Sequence, residues 1–91
     1  MAFEWEPNKA AINFQDHRFR FAEAVGVFSD DYAITITDDE SDPFEQRFVA
    51  LGLGVKGRLL VVVYTYRGEN IRLISARNAE AHEQEEYEAQ R

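Results

Sequence analysis

The stretch Gly57–Ala79, G-R-L-L-V-V-V-Y-T-Y-R-G-E-N-I-R-L-I-S-A-R-N-A, constrains the fold more than any other part of the chain. Arg58 to Tyr66 and Ile71 to Ser75 are rich in β-branched and aromatic residues, which suit strands. Between them lies Arg67-Gly68-Glu69-Asn70, where Gly68 and Asn70 accept a positive φ. The pattern predicts a long hairpin. Pairing Tyr66 with Ile71 sets Thr65 against Arg72, Tyr64 against Leu73, Val63 against Ile74, Val61 against Ala76 and Leu60 against Arg77. Side chains alternate faces along a strand. One face therefore carries Leu59, Val61, Val63, Thr65, Arg72 and Ile74, and the other Leu60, Val62, Tyr64, Tyr66, Ile71, Leu73, Ser75 and Arg77. Both are apolar over most of their length, which predicts a hairpin in the middle of a sheet, covered on both sides. Arg72 and Arg77 interrupt this surface, one per face, and are the first candidates for function. A bulge near Ser75, or projection of Arg77 past the strand end, would bring the two to one site.

The rest of the chain is read around this hairpin. Ala2 to Trp5 alternates as a short strand. Pro7 opens a helix, with Glu6 at its N-cap, that runs to about Asp16 on the apolar residues Ala11, Ile12 and Phe14. Lys9, Asn13 and His17, at i, i+4 and i+8, share one face of it. A second helix is expected over Phe21 to Phe28, with Phe21, Ala24, Val25 and Phe28 as its apolar stripe. Strands follow at Tyr32–Thr37 and Glu45–Leu51, separated by a polar loop from Asp38 to Pro43. Asn78 is a plausible N-cap for a last helix whose only bulky apolar residue is Tyr87. A chain of 91 residues is read as one domain, residues 1–91.

Charge narrows the function classes. The net charge of −7 argues against a protein that simply coats nucleic acid. Yet Gln46–Arg77 holds six bases (Arg47, Lys56, Arg58, Arg67, Arg72 and Arg77) and one acid, Glu69. The acids gather at Asp38–Glu45 and beyond Glu80, so a basic sheet with acidic surroundings is expected. There is no cysteine, which removes disulfides and thiolate metal sites. No His, Asp and Glu spacing resembles a metal site, and a calcium site in the Asp38–Asp42 loop lacks the EF-hand spacing. No cofactor is expected. No apolar run approaches the ~20 residues of a membrane span. No signal peptide is visible, and a cytoplasmic location fits.

Several stretches in succession resemble one family. They are F-E-W-E-P-N-K-x-x-x-N-x-x-x-H, F-A-E-A-x-x-V-F, E-Q-R-F-V-A-L-G, G-R-L-L-V-V-V-Y-T-Y-R and I-R-L-I-S-A-R-N-A, with Glu83 and Tyr87 beyond. Their order and spacing resemble the BrnT toxins of bacterial type II toxin–antitoxin systems, over nearly the whole chain. The resemblance implies an α+β, RelE-like fold: a small, largely antiparallel sheet, two N-terminal helices and one C-terminal helix. It also implies ribonuclease activity that stops growth. The implied partners are RNA, a BrnA-type antitoxin and, only through that antitoxin, DNA; a homodimer of the free form is a further expectation, and no membrane is involved. Motif positions carried over are Lys9, Asn13, His17, Glu45, Arg47, Arg58, Thr65, Arg72, Ser75, Arg77 and Tyr87. The chain departs from the family pattern at Glu6, where aspartate is usual, at Arg18, where glycine is usual, and in its acidic last helix, usually basic.

RNA cleavage by transesterification needs a base for the 2′-OH, an acid for the leaving 5′-oxygen and cations for the phosphorane. Arg72 and Arg77 suit the last task; the bland reading pairs each with a carboxylate. His17 suits proton transfer near neutral pH and Lys9 a phosphate, against a merely solvated helix face. Glu45 and Arg47, two apart on one strand, are read as a base oriented by a cation or as an edge ion pair. Thr65 and Ser75 read as ordinary strand residues. Two functions remain: a metal-independent ribonuclease toxin, or a non-cleaving toxin-like partner and co-repressor, which the acidic last helix would suit.

Overall fold

The computed structural model describes residues 2–38 and 44–90. Most of the acidic loop, and with it the calcium reading, lies outside the described residues. Strands β1 (Phe3–Glu4), β2 (Ile34–Asp38), β3 (Arg47–Leu53), β4 (Leu59–Arg67) and β5 (Asn70–Asn78) form one sheet in the order β1-β5-β4-β3-β2. Helices α1 (Pro7–His17) and α2 (Phe21–Ala24) precede β2, and α3 (Ala81–Ala89) follows β5. Among the described residues no helix is long and apolar enough to cross a membrane.

The α+β class is as expected, but the sheet is mixed rather than largely antiparallel. β1 runs parallel to β5, with Phe3 beside Ile71 and Glu4 beside Arg72. The alternation at Phe3 and Trp5 marks a strand without marking its direction. β5 would otherwise be an unprotected edge. Beyond β1, helix α1 takes over that edge. The Asn13 side chain donates to the carbonyl of Ala76 at 3.0 Å and accepts its N–H at 2.9 Å, as a neighbouring strand would. Asn13 is accordingly buried, while Ala11 and Ile12, two of the apolar positions read from the sequence, are exposed.

Helix placement also differs. The predicted helix over Phe21–Phe28 divides into α2 and a 3-10 segment, Val25–Ser29. Tightening brings Gly26 against the turn after β3, where a Cβ would come within 2.5 Å of the Val55 nitrogen. Only glycine permits that approach. The last helix is capped by Glu80 rather than Asn78, because Asn78 is still in β5, opposite Leu60.

The hairpin has the expected register at its tip, with Tyr66 on Ile71, Thr65 on Arg72 and Tyr64 on Leu73. There it slips. Val63 pairs with Ser75, Val62 with Ala76, Val61 with Arg77 and Leu60 with Asn78, leaving Ile74 as the extra residue of a β-bulge. The bulge corrects the simple alternation beyond Leu73. Leu60, Val62, Tyr64, Ile71, Leu73 and Ala76 form the main core with Phe19, Phe21 and Val27. The opposite face buries Leu51 and Val61 under Tyr87 of α3.

Candidate functional site

The bulge decides which side chains can meet. Arg72 pairs with Thr65 and Arg77 with Val61, and Thr65 and Val61 are an even number of residues apart on β4. Arg72 and Arg77 therefore share the face opposite the main core, with Ser75 between them. Arg47, two residues before Val49, belongs to the same face of β3.

The two arginines differ in what holds them. Arg77 makes a forked pair with Glu83 of α3, Nη1 to Oε1 at 2.8 Å and Nη2 to Oε2 at 2.9 Å. Hydrogen bonding from Arg77 brings the Glu83 carboxyl from its ordinary 4.5 to about 2. The same bond raises the Arg77 guanidinium above its ordinary value. Glu83 also accepts the Glu80 N–H at 2.8 Å, closing a capping box at the start of α3. Arg72 lies 3.7 Å from Glu6 and 4.0 Å from Glu4, too far for hydrogen bonds. Its guanidinium is held in place by charge while its fork of donors stays available to an anion. The carboxylate reading thus describes Arg77 closely and Arg72 loosely.

Beside the bulge, α1 and β5 bound a shallow cleft of about 250 Å³. Lys9, Ile12, Asn13, Asp16 and His17 line it from the helix, and Ile74 and Ser75 from the strand, so one carboxylate stands among its cations. The helical spacing of Lys9 and His17 thus brings both to the bulge, while Asn13 between them serves the fold. Both Lys9 and His17 are exposed.

Glu45 and Arg47 do not share a strand as expected. β3 starts at Arg47, opposite Asp38, and Glu45 precedes it. Glu45 instead lines a cleft with Phe44, Gln46, Phe48, Thr65 and Tyr66 at the far side of the sheet from α1. The Thr65 hydroxyl donates to the Gln46 carbonyl at 2.7 Å, which fixes this corner. Tyr64 is buried between Phe28 and Phe48 on the core face, and burial pushes its hydroxyl pKa up. It is a packing residue. Among the described residues, no group of three or more His, Asp and Glu is placed to hold a metal ion.

Two sets of residues were not assigned a role by sequence reasoning. Asp30 Oδ2 accepts the Tyr87 hydroxyl at 2.7 Å and the Leu53 N–H at 2.9 Å, anchoring α3 to the sheet. The Ser29-Asp30-Asp31 run signalled a helix end, but nothing local signals a partner so distant in sequence. Arg58 makes a forked pair with buried Glu23 at 2.8 and 2.9 Å. A carboxylate within the apolar pattern of Phe21-Ala22-Glu23-Ala24 was the available clue.

Comparison with known proteins bears on the family and the fold. Residues 5–83 match the family model described as "Ribonuclease toxin, BrnT, of type II toxin-antitoxin system". The fold is similar to the crystal structure of the Brucella abortus ribonuclease toxin, BrnT, with a TM-score of 0.68 and 24% identity. The match covers 88% of this chain and 97% of that one. No curated protein sequence matches the chain.

Proposed function

The chain belongs to the BrnT family of ribonuclease toxins of type II toxin–antitoxin systems, and from that premise we propose that it cleaves RNA by metal-independent transesterification on the face carrying Arg72. The observation that carries this reading is the bulge at Ile74, which puts Arg72, Ser75 and Arg77 on one face and leaves Ser75 in the cleft that Lys9 and His17 line. Arg72 holds the scissile phosphate, since a fork of fixed donors matches the equatorial oxygens of a phosphorane. Lys9 and Arg47 add charge around it, and Arg77 joins when Glu83 yields. The two proton-transfer candidates lie at opposite margins of this face. A single phosphorane cannot be served from both margins, so His17, in the cleft at the bulge, is the proton-transfer group of the scissile site, and Glu45, across the sheet, is not its partner. Arginine supplies the cationic role that a metal would otherwise fill.

A type II system implies an antitoxin protein as partner. We propose a BrnA-type antitoxin, through which alone the complex reaches DNA, a free form that self-associates, and action in the cytoplasm on residues 1–91 as one domain. Neither the fold nor the family match favours a non-cleaving partner protein.

The test is cleavage of RNA by the purified protein in the presence of EDTA. The expected products end in a 2′,3′-cyclic phosphate and a 5′-hydroxyl. Cleavage that appears only with added divalent metal, or that leaves a 5′-phosphate, would overturn the mechanism.

A further inference from the structure

A second cationic cleft, of about 320 Å³, lies where the turn between β3 and β4 meets the α1–α2 junction. Arg18, Arg20, Lys56 and Arg58 line it, against one carboxylate, Glu23. This is a marked concentration of positive charge in a chain of net −7. We propose that this cleft binds backbone phosphates of an RNA strand that extends away from the scissile site; the proposal rests on the ribonuclease reading above.

Three observations point to a polyanion. First, the guanidinium planes are set in position by aromatic rings. Arg20 lies over Phe14 at 4.7 Å and Arg58 over Phe19 at 4.6 Å. Stacking keeps the forked edge of Arg20 fixed, which suits phosphate oxygens, while the fork of Arg58 is held by Glu23. Second, Arg18 occupies a left-handed conformation at φ 64°, as the C-cap of α1. Glycine or asparagine takes that conformation at less cost. The side chain this places at the cleft is a guanidinium, where the family pattern has glycine. Third, the cleft lies at the same end of α1 as the candidate active site. His17 ends α1 in one cleft and Arg18, the next residue, lines the other. A strand whose phosphate sits at Arg72 passes Lys9 and His17 before reaching Arg18. Glu23 does not contradict this, because both its oxygens are taken by Arg58. Arg18, Arg20 and Lys56 are then the side chains left to meet the ligand.

The test substitutes Arg18→Gly, Arg20→Gln and Lys56→Gln together. Arg58 is kept, since its loss would strand the buried Glu23 carboxylate. The probe is a fluorescent 2′-O-methyl RNA of about 12 nucleotides, which is bound but not cleaved, titrated by anisotropy over a range of salt. The triple variant is expected to bind about tenfold more weakly at low salt, with the salt slope reduced by about 2, as loss of three phosphate contacts on a single strand requires. Lys56→Glu alone, on an exposed turn, is expected to weaken binding in the same direction. Affinity and slope within about twofold of the wild type for both proteins would overturn the subsite. So would weakened antitoxin binding with unchanged RNA binding, which would assign the cleft to an acidic peptide. Because the probe cannot be cleaved, a wild type that binds it but cuts no RNA would refute the ribonuclease mechanism and leave the subsite standing.

Discussion

Asn13 performs a hydrogen-bonding task that a neighbouring strand would otherwise perform. Its amide both donates to and accepts from Ala76, at an edge that β1 is too short to reach. Replacing it by alanine leaves a buried N–H and C=O without partners, and Asn13→Ala is expected to cost about 2–4 kcal/mol. A urea melt checks this; a loss below about 0.5 kcal/mol would mean that water or a shifted helix serves the edge instead. Sequence placed Asn13 with Lys9 and His17 on one helical face, which is correct as geometry. Nothing in the spacing could say that the middle residue of a polar face turns inward, because that depends on where the sheet runs out of strands. Arg72 was legible for a related reason. A guanidinium among apolar strand residues calls for a partner or an open end, and it lies between two carboxylates at 3.7 and 4.0 Å.

Among the elements, α3 is the least secured by apolar contact. Tyr87 is its one buried residue among those described, and the rest of its attachment is polar: Tyr87 to Asp30 and Glu83 to Arg77. The Glu83 carboxyl titrates at about 2 in the folded protein against 4.5 ordinarily. Its folded value being the lower, the ion pair contributes fully above about pH 4.5 and is lost as the pH falls toward 2. Arg77 is more than a third exposed, so screening limits the contribution to about 1–2 kcal/mol. Melting temperatures of the wild type and Glu83→Gln are therefore expected to differ at pH 6, to draw closer below about pH 4.5 and to converge near pH 2. A constant difference across that range would assign the loss to packing rather than charge. The bulge is the other decisive element. Alternation alone put Arg72 and Arg77 on opposite faces, and a bulge near Ser75 or projection of Arg77 past the strand end was needed to unite them. The need for one or the other could be stated from sequence, but the existence of the bulge could not, because a bulge is fixed by how β4 and β5 pack on their neighbours.

At the scale of the whole molecule, charge is divided between a basic sheet region and an acidic helix lying on it. Glu85, Glu86 and Glu88 of α3 are exposed. They repel RNA approaching the Arg72 face if the strand passes near α3. Changing the three to lysine is expected to strengthen RNA binding at low salt, with the gain shrinking as salt rises. Unchanged affinity at low ionic strength would place α3 away from the RNA path. The order of elements and the hairpin at the centre were readable because long strands with two apolar faces leave few alternatives. The direction of β1 was not, since two residues carry no directional signal. The account of function comes down to one side chain on the open part of that sheet. Its most direct test is Arg72→Ala, assayed on one preparation for RNA cleavage, antitoxin binding and thermal unfolding. Loss of cleavage by at least about 100-fold is expected, with a melt little changed, because its ion pairs are long, and with the antitoxin still bound. Arg72→Lys should recover only part of the activity, as a point charge cannot make the forked contact. An Arg72→Ala protein that cleaves RNA as the wild type does, or one that loses folding and every activity together, would contradict it.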